Sequence, residues 1–141
     1  GDSSFIPWSV ANISNVPITE CNKYITTPGI ESPTLDLDEI EQYVRKSGGR
    51  VIARKGATFY AVSVSVCHIC KCILGGMDTT MTVSTMMHGE YGIDDVCLST
   101  LNLIGNKCVR GKVNIWLTDE EIVKLQHSAN TLKEVIKNLD I

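Results

Sequence analysis

The sequence has no apolar run that approaches the roughly 20 residues a membrane-spanning helix needs, and it has no excess of basic residues. Its 13 lysines and arginines are outnumbered by 16 aspartates and glutamates, which gives a formal net charge of -3 and an isoelectric point of about 5.6. Proteins that bind nucleic acids or anionic membranes draw their affinity from clustered Lys and Arg. We therefore expect neither a membrane protein nor a nucleic-acid binder.

Several sequence signatures of enzymes are also missing. No Gly-x-Gly-x-x-Gly segment follows a predicted strand, so we expect no Rossmann domain in this chain. The histidines His68, His88 and His127 fit no His-Glu-x-x-His pattern, and no serine lies in a Gly-x-Ser-x-Gly turn. His88 could form an acid–base pair with nearby Glu90, but polar residues gather in turns anyway, and we favour that ordinary interpretation. The motifs alone name no reaction.

The first residues, "GDSSFIPWS", lack the basic start and apolar middle of a secretory leader, so we expect a cytoplasmic protein. The cysteines agree, because three of them crowd into "CHICKC" instead of forming the evenly spaced framework of a secreted domain. We interpret all six as reduced thiols: Cys21, Cys67, Cys70, Cys72, Cys97 and Cys108.

One alternative for the cysteines stays open. Cys67 and Cys70 are three residues apart, so on a helix they would share a face and could hold one edge of a tetrahedral zinc site. The chain would then be a non-enzymatic metal-binding module. Free cysteine more often packs as a small hydrophobe, and we assign no metal ligand.

Length and composition indicate one domain over residues 1–141. A chain of 141 residues can bury about two-thirds of its unfolded surface. Its 43% hydrophobic and 21% charged residues are ordinary globular usage. The expected fold class is α+β, with helices packed on an antiparallel sheet.

Three helices are predicted. The first begins near Asp36, and the segment "SGG" at 47–49 is expected to bend or interrupt it. The second covers "KGATFYAVSVSVCHICKCIL", whose length favours a helix although "AVSVSV" alternates like a strand. The third begins with a capping box of Thr118 and Glu121. It continues as an apolar stripe: Ile122, Leu125, Ala129, Leu132, Ile136 and Leu139.

Between the second and third helices the sequence predicts a small antiparallel meander. Its three β-prone runs are "TMTVSTMM", "DDVCLSTLNLIG" and "GKVNIWL", separated by the turn-rich segments "HGEYGIDD" and "GNKCVRG".

Three segments, taken in order, resemble one family. "KGATFYA", "TVSTMMHGEYGIDDVCLS" and "LTDEEIVKLQHSANTLKEVIK" are similar to the C-terminal, substrate-binding half of L-lactate dehydrogenases in the lactate/malate dehydrogenase family. The opening "GDS" resembles the tail of that family's Gly-Glu-His-Gly-Asp-Ser motif, cut directly after the histidine. The resemblance covers essentially the whole chain, and "KGATFYA" favours the lactate branch over malate-type relatives.

The resemblance implies an NAD-dependent homotetrameric oxidoreductase that interconverts L-lactate and pyruvate, the last step of fermentative glycolysis. The family's proton-donating histidine would stand immediately before Gly1. Its orienting aspartate, two substrate-contacting arginines and the N-terminal NAD-binding domain would also lie upstream, so the chain holds no catalytic residue and alone should be inactive. Malate or another 2-hydroxy acid stays open as substrate, because the discriminating residue belongs to the missing lid.

The resemblance assigns four positions to the site. Thr58 matches a threonine in the substrate-pocket wall, where its hydroxyl and methyl face the 2-oxo acid. Val62 matches an aliphatic residue near the nicotinamide ring of NAD. Asp2 and Ser3 adjoin the missing histidine and are expected to line the same cleft. Without the resemblance, Thr58 would be interpreted as a plain helix N-terminal hydroxyl.

Cys108 departs from the family pattern. It stands where the family commonly has glycine in an "N-x-G" turn, a position adapted to positive φ. We expect cysteine to be strained there by about 1 kcal/mol.

Overall fold

The computed structural model describes residues 3–21 and 35–139, and these form three α-helices and five strands. The helices are α1 (Leu37–Lys55), α2 (Tyr60–Gly75) and α3 (Asp119–Lys137). The strands are β1 (Asn12–Ile13), β2 (Val16–Pro17), β3 (Thr79–His88), β4 (Asp94–Gly105) and β5 (Cys108–Lys112). Single 3-10 turns lie at Trp8–Val10, Ile18–Glu20 and Glu90–Gly92. The predicted α+β class is confirmed.

The core lies between the three-stranded sheet and the first half of α3. β4 is the central strand and pairs antiparallel with β3 and β5. Alternate residues of β4 turn inward, as expected for a strand with one covered face. The buried cluster consists of Met87, Ile93, Val96, Leu98 and Ala129, with Tyr91 and Leu125 packed against it.

The third strand begins earlier than the sequence pattern predicts. "GKVNIWL" covers residues 111–117, but β5 starts at Cys108 and ends at Lys112. The hairpin closes at once, because Cys108 pairs directly with Gly105 across the turn. After Val113, whose N–H donates to the Leu101 carbonyl at 2.8 Å, the chain leaves the sheet for α3. The remaining β-prone residues therefore connect two elements instead of pairing.

Cys108 adopts the backbone conformation expected of it. Its φ is 65°, in the left-handed region that favours glycine. The turn between β4 and β5 needs this conformation to reverse the chain over so few residues.

Helix α1 runs without interruption through Gly48 and Gly49, so the predicted interruption is wrong. Both ends of the helix are fixed locally. Asp36 Oδ1 accepts a hydrogen bond from Glu39 N at 2.9 Å, and Gly56 ends the helix with a φ of 77°. The glycine pair weakens the middle of the helix without breaking it.

Replacing both Gly48 and Gly49 by alanine should stabilise the chain by about 1 kcal/mol at each position. An added Cβ at either site would meet nothing within 4 Å, so only the entropic benefit of alanine remains. Urea unfolding followed by circular dichroism measures the effect. Gly56→Ala is the matched control and should destabilise, because its φ of 77° strains any L side chain. A double alanine variant no more stable than the parent would contradict this account.

The other two predicted helices, α2 and α3, are both present. Both bonds of the capping box are present in α3: Thr118 Oγ1 accepts from Glu121 N at 3.3 Å, and Glu121 Oε2 accepts from Thr118 N at 3.0 Å. The apolar stripe is only partly covered, because the sheet reaches the first half of the helix. Ala129 is buried, whereas Leu132 and Ile136 are exposed.

Helices α1 and α2 leave much apolar surface uncovered. α1 has no fully buried residue, and α2 has Cys72 alone. Among the described residues, no single helix is long and apolar enough to cross a membrane; α1 and α2 meet that test of length and composition only as a pair, which is bent by 119°. The exposed apolar side chains are Tyr43, Val44, Val51 and Ile52 on α1, and Tyr60, Val62, Val64, Val66 and Leu74 on α2.

The zinc alternative gains no support from the fold. All six cysteines are free, and Cys67 and Cys70 are exposed on α2. Within residues 3–21 and 35–139, no three His, Cys, Asp or Glu side chains come together in a way that could hold a metal ion.

Candidate functional site

The corner between α1 and α2 carries the two positions assigned to a ligand pocket. Thr58 lies in the link between Gly56, which ends α1, and Tyr60, which begins α2. Phe59 occupies the N-cap of α2, and no side chain caps that end. Thr58 is therefore not the capping hydroxyl that its position in the sequence alone suggests. Its side chain is exposed and available to a ligand.

Val62 lies in the first turn of α2, one helical turn beyond Thr58. Val62 is 58% exposed, and the neighbouring rings of Phe59 and Tyr60 contact each other in a tilted arrangement, with centroids 4.5 Å apart. An exposed apolar corner of this kind is typical of a surface that a ligand or another part of a protein covers.

Ser3, the first described residue, lies against α3. Its Oγ is 3.1 Å from Ser128 Oγ, and either hydroxyl can donate. Asp2, which was predicted to line the same cleft, lies outside the described residues.

A second contact joins the same segment to the start of α3. Ser9 N donates to Glu121 Oε1 at 3.0 Å, and the Ser9 hydroxyl donates to Glu121 Oε2. Burial alone raises the pKa of the Glu121 carboxyl, but the hydrogen bonds from Ser9 and Thr118 outweigh it and hold the pKa below its ordinary value. Glu121 is only 7% exposed, so its charge is stabilised by these donors.

Neither contact follows from the sequence pattern, in which Glu121 is a capping residue and Ser128 has no role. One signal was available. Ser128 comes seven residues after Glu121, so both lie on one face of the helix, and small residues at Ser128 and Ala129 allow another segment to approach closely. The identity of that segment could not be predicted.

The turn after β3 holds an ion pair, and not the acid–base pair considered for His88 and Glu90. Glu90 Oε1 accepts from Lys112 Nζ at 2.9 Å, and Oε2 accepts from the backbone N–H of His88 at 2.6 Å. The hydrogen bond from the His88 N–H, the one from Lys112 and a third from the Glu90 backbone N–H together lower the pKa of Glu90 from 4.5 to about 2. Lys112 also donates to the Met86 carbonyl, so the pair ties β5 to the end of β3.

The Glu90 ion pair should make stability depend on pH. Because folding lowers the Glu90 pKa from 4.5 to about 2, its contribution is fully present above pH 4.5 and is lost as the pH falls toward 2. We expect Glu90→Gln to be less stable than the parent at pH 7, and the difference to shrink between pH 4.5 and pH 2.5. Urea unfolding at several pH values measures it. Glu134→Gln, which alters an exposed pair with Lys137, is the control; a pH-independent gap for Glu90→Gln would contradict the assignment.

Comparison with known proteins identifies the class of this domain. The family model for the lactate/malate dehydrogenase alpha/beta C-terminal domain matches residues 1–140. The chain therefore belongs to the lactate/malate dehydrogenase family, and the resemblance drawn from its motifs is confirmed.

Three relatives show how similar the chain is to individual proteins of the family. The L-lactate dehydrogenase of Thermoanaerobacterium saccharolyticum is 39% identical over 141 residues, which are 100% of this chain and 44% of that protein. The ligand-bound structure of the minor L-lactate dehydrogenase from Enterococcus mundtii matches with a TM-score of 0.87 at 26% identity, over 100% of this chain and 44% of that one. Malate dehydrogenase from Archaeoglobus fulgidus in complex with NADH matches with a TM-score of 0.72 at 31% identity, over 78% of this chain and 37% of that one. The chain thus spans less than half the length of these relatives.

Proposed function

We propose that this chain is the substrate-binding half of an L-lactate dehydrogenase, which interconverts L-lactate and pyruvate with NAD and NADH as the last step of fermentative glycolysis. The observation that carries the proposal is the 39% identity to an L-lactate dehydrogenase along the whole chain. The proposal includes a cytoplasmic, homotetrameric enzyme in which an N-terminal NAD-binding domain completes the site. The uncovered apolar faces of α1 and α2 are consistent with burial in such an assembly.

In this proposal NAD contacts the chain only at its edge, and the N-terminal domain provides most of its binding site. The sequence has no Gly-x-Gly-x-x-Gly loop to hold the pyrophosphate. Val62 offers exposed apolar surface that suits the nicotinamide ring. When bound, NADH supplies the hydride for the C2 carbon of pyruvate, and the histidine expected before Gly1 supplies the proton for its carbonyl oxygen. Thr58 forms part of the pocket wall that holds the 2-oxo acid in place.

A fusion protein tests the proposal directly. It joins residues 1–141 to the part of the Thermoanaerobacterium saccharolyticum enzyme that precedes the matched region. We expect this fusion to oxidise NADH with pyruvate. A folded fusion that binds NADH and does not turn over pyruvate would contradict the proposed function.

Thr58→Val in this fusion should lower kcat/KM for pyruvate by about 10-fold. The change keeps the shape of the side chain but removes its hydroxyl, and a hydrogen bond to a charged or polar ligand is worth about 1.4 kcal/mol, which corresponds to that factor. Thr58→Ser keeps the hydroxyl and should stay close to the parent. Thr131→Val, on the exposed face of α3, is a control outside the pocket. Unchanged kinetics in Thr58→Val would refute the pocket role.

A further inference from the structure

The chain segment from Ser3 to Ser9 is fastened along helix α3 at two places. Near its start, the Ser3 hydroxyl bonds the Ser128 hydroxyl at 3.1 Å. Near its end, the backbone N–H and hydroxyl of Ser9 both donate to the Glu121 carboxylate. Since Ser3 meets the later helical residue and Ser9 the earlier one, the segment runs antiparallel to α3.

The helix is a firm support for this segment. Glu121 and Ser128 are two turns apart, about 10 Å along the axis, and lie on the same face. Between and beside them, Leu125 and Ala129 pack into the core cluster. The face that holds the segment is therefore continuous with the face that packs on the sheet, and it cannot shift without disturbing that core.

We propose that Ser128 is a positioning residue for the reaction, acting through Ser3 on the backbone that immediately follows the proton donor. This inference rests on the proposed function, in which the donor histidine stands before Gly1. Ser3 is then the nearest described anchor to that histidine. A displacement of a proton donor by about 1 Å can lower the rate of the chemical step up to 100-fold, so loss of a weak anchor can affect the rate without unfolding the domain.

The kinetic test uses the fusion protein and a double-mutant cycle. Ser128→Ala and Ser3→Ala should each lower kcat by about 3- to 10-fold and leave the pyruvate KM unchanged, because the contact orients the donor and does not bind the carboxylate. The double variant should lose no more than either single one, since both remove the same hydrogen bond. Ser128→Thr keeps the hydroxyl and should restore kcat. Thr131→Ala, whose hydroxyl bonds only the His127 carbonyl of its own helix, should behave as the parent.

A second readout does not depend on activity. In the 141-residue chain, Ser128→Ala should speed amide hydrogen exchange in residues 4–10, while exchange in β4 stays unchanged. Unchanged exchange in residues 4–10 would overturn the anchor itself. If the parent fusion is active but Ser128→Ala and Ser3→Ala keep full kcat, or if their losses add, the positioning role is wrong and the proposed function stands. An inactive parent fusion that folds and binds NADH would overturn both. If Ser128→Ala fails to fold, the kcat and the amide exchange of Ser3→Ala, which removes the same hydrogen bond from the other side, test the proposal.

Discussion

Met87→Ala should lower the free energy of unfolding by about 3 kcal/mol. Met87 is completely buried, with 0% exposure, at the centre of the cluster that joins β3, β4 and α3. Truncating a buried methionine loses its transfer free energy and leaves a cavity, which together cost about 2–5 kcal/mol. Urea unfolding at pH 7 measures the loss.

The neighbouring methionine provides a matched control. Met86 lies next to Met87 on the same strand but points to the other face, and it is 44% exposed. Met86→Ala should change stability by well under 1 kcal/mol. Similar losses for the two variants would contradict the register of β3, because a shift of one residue would exchange the two side chains.

Glu121→Ala should cost about 2–3 kcal/mol and loosen the first segment of the chain. The variant removes the acceptor for Ser9 and for the backbone N–H of Thr118. Hydrogen bonds to a charged group contribute about 1.5–3 kcal/mol, and loss of helix capping adds to this. Unfolding in urea gives the magnitude, and amide exchange in residues 4–10 shows where the loosening occurs.

Glu120 serves as the control for Glu121. It precedes Glu121 in the first turn of α3 and is exposed. Its interaction with the helix dipole is worth about 0.3–1 kcal/mol, so Glu120→Ala should have a small effect and should leave residues 4–10 protected. Equal effects of the two variants would show that Glu121 acts only through its charge near the helix end.

Local features of the fold were predictable from the sequence. The capping box of Thr118 and Glu121 identifies the start of α3 because it depends on residues three apart. In the run after Lys55, the alternating valines favour a strand and the length of the run favours a helix. The helix prediction from length is confirmed by α2. The glycine pair in α1 misleads because propensity is a weak signal, and fixed helix ends override a local cost of about 1 kcal/mol per glycine. The third strand is misplaced because the tight turn before Cys108 starts the pairing three residues ahead of the β-prone run, and the chain leaves the sheet after Val113.

Only the part of the candidate site that lies in a recognisable motif could be proposed from the sequence. Thr58 and Val62 come from the resemblance of "KGATFYA", and the structure places them together at one exposed corner. The anchors of the first segment could not be predicted, since Ser3 and Ser128 are separated by 125 residues and Ser9 and Glu121 by 112. Contacts at such separation depend on the completed fold and leave no periodic pattern in the sequence. The same holds for the apolar surface that α1 and α2 leave uncovered.

The most direct test of the account compares NADH oxidation with pyruvate by the 141-residue chain and by the fusion protein, at equal molar concentration and under identical conditions. We expect no turnover by the chain alone, because the proposed function puts the proton donor and the cofactor site outside it, and clear turnover by the fusion, because the chain is proposed to supply a competent substrate half. Turnover by the pure chain would show that it carries its own catalytic groups. An inert fusion that folds and binds NADH would show that this domain is not the substrate half of an L-lactate dehydrogenase.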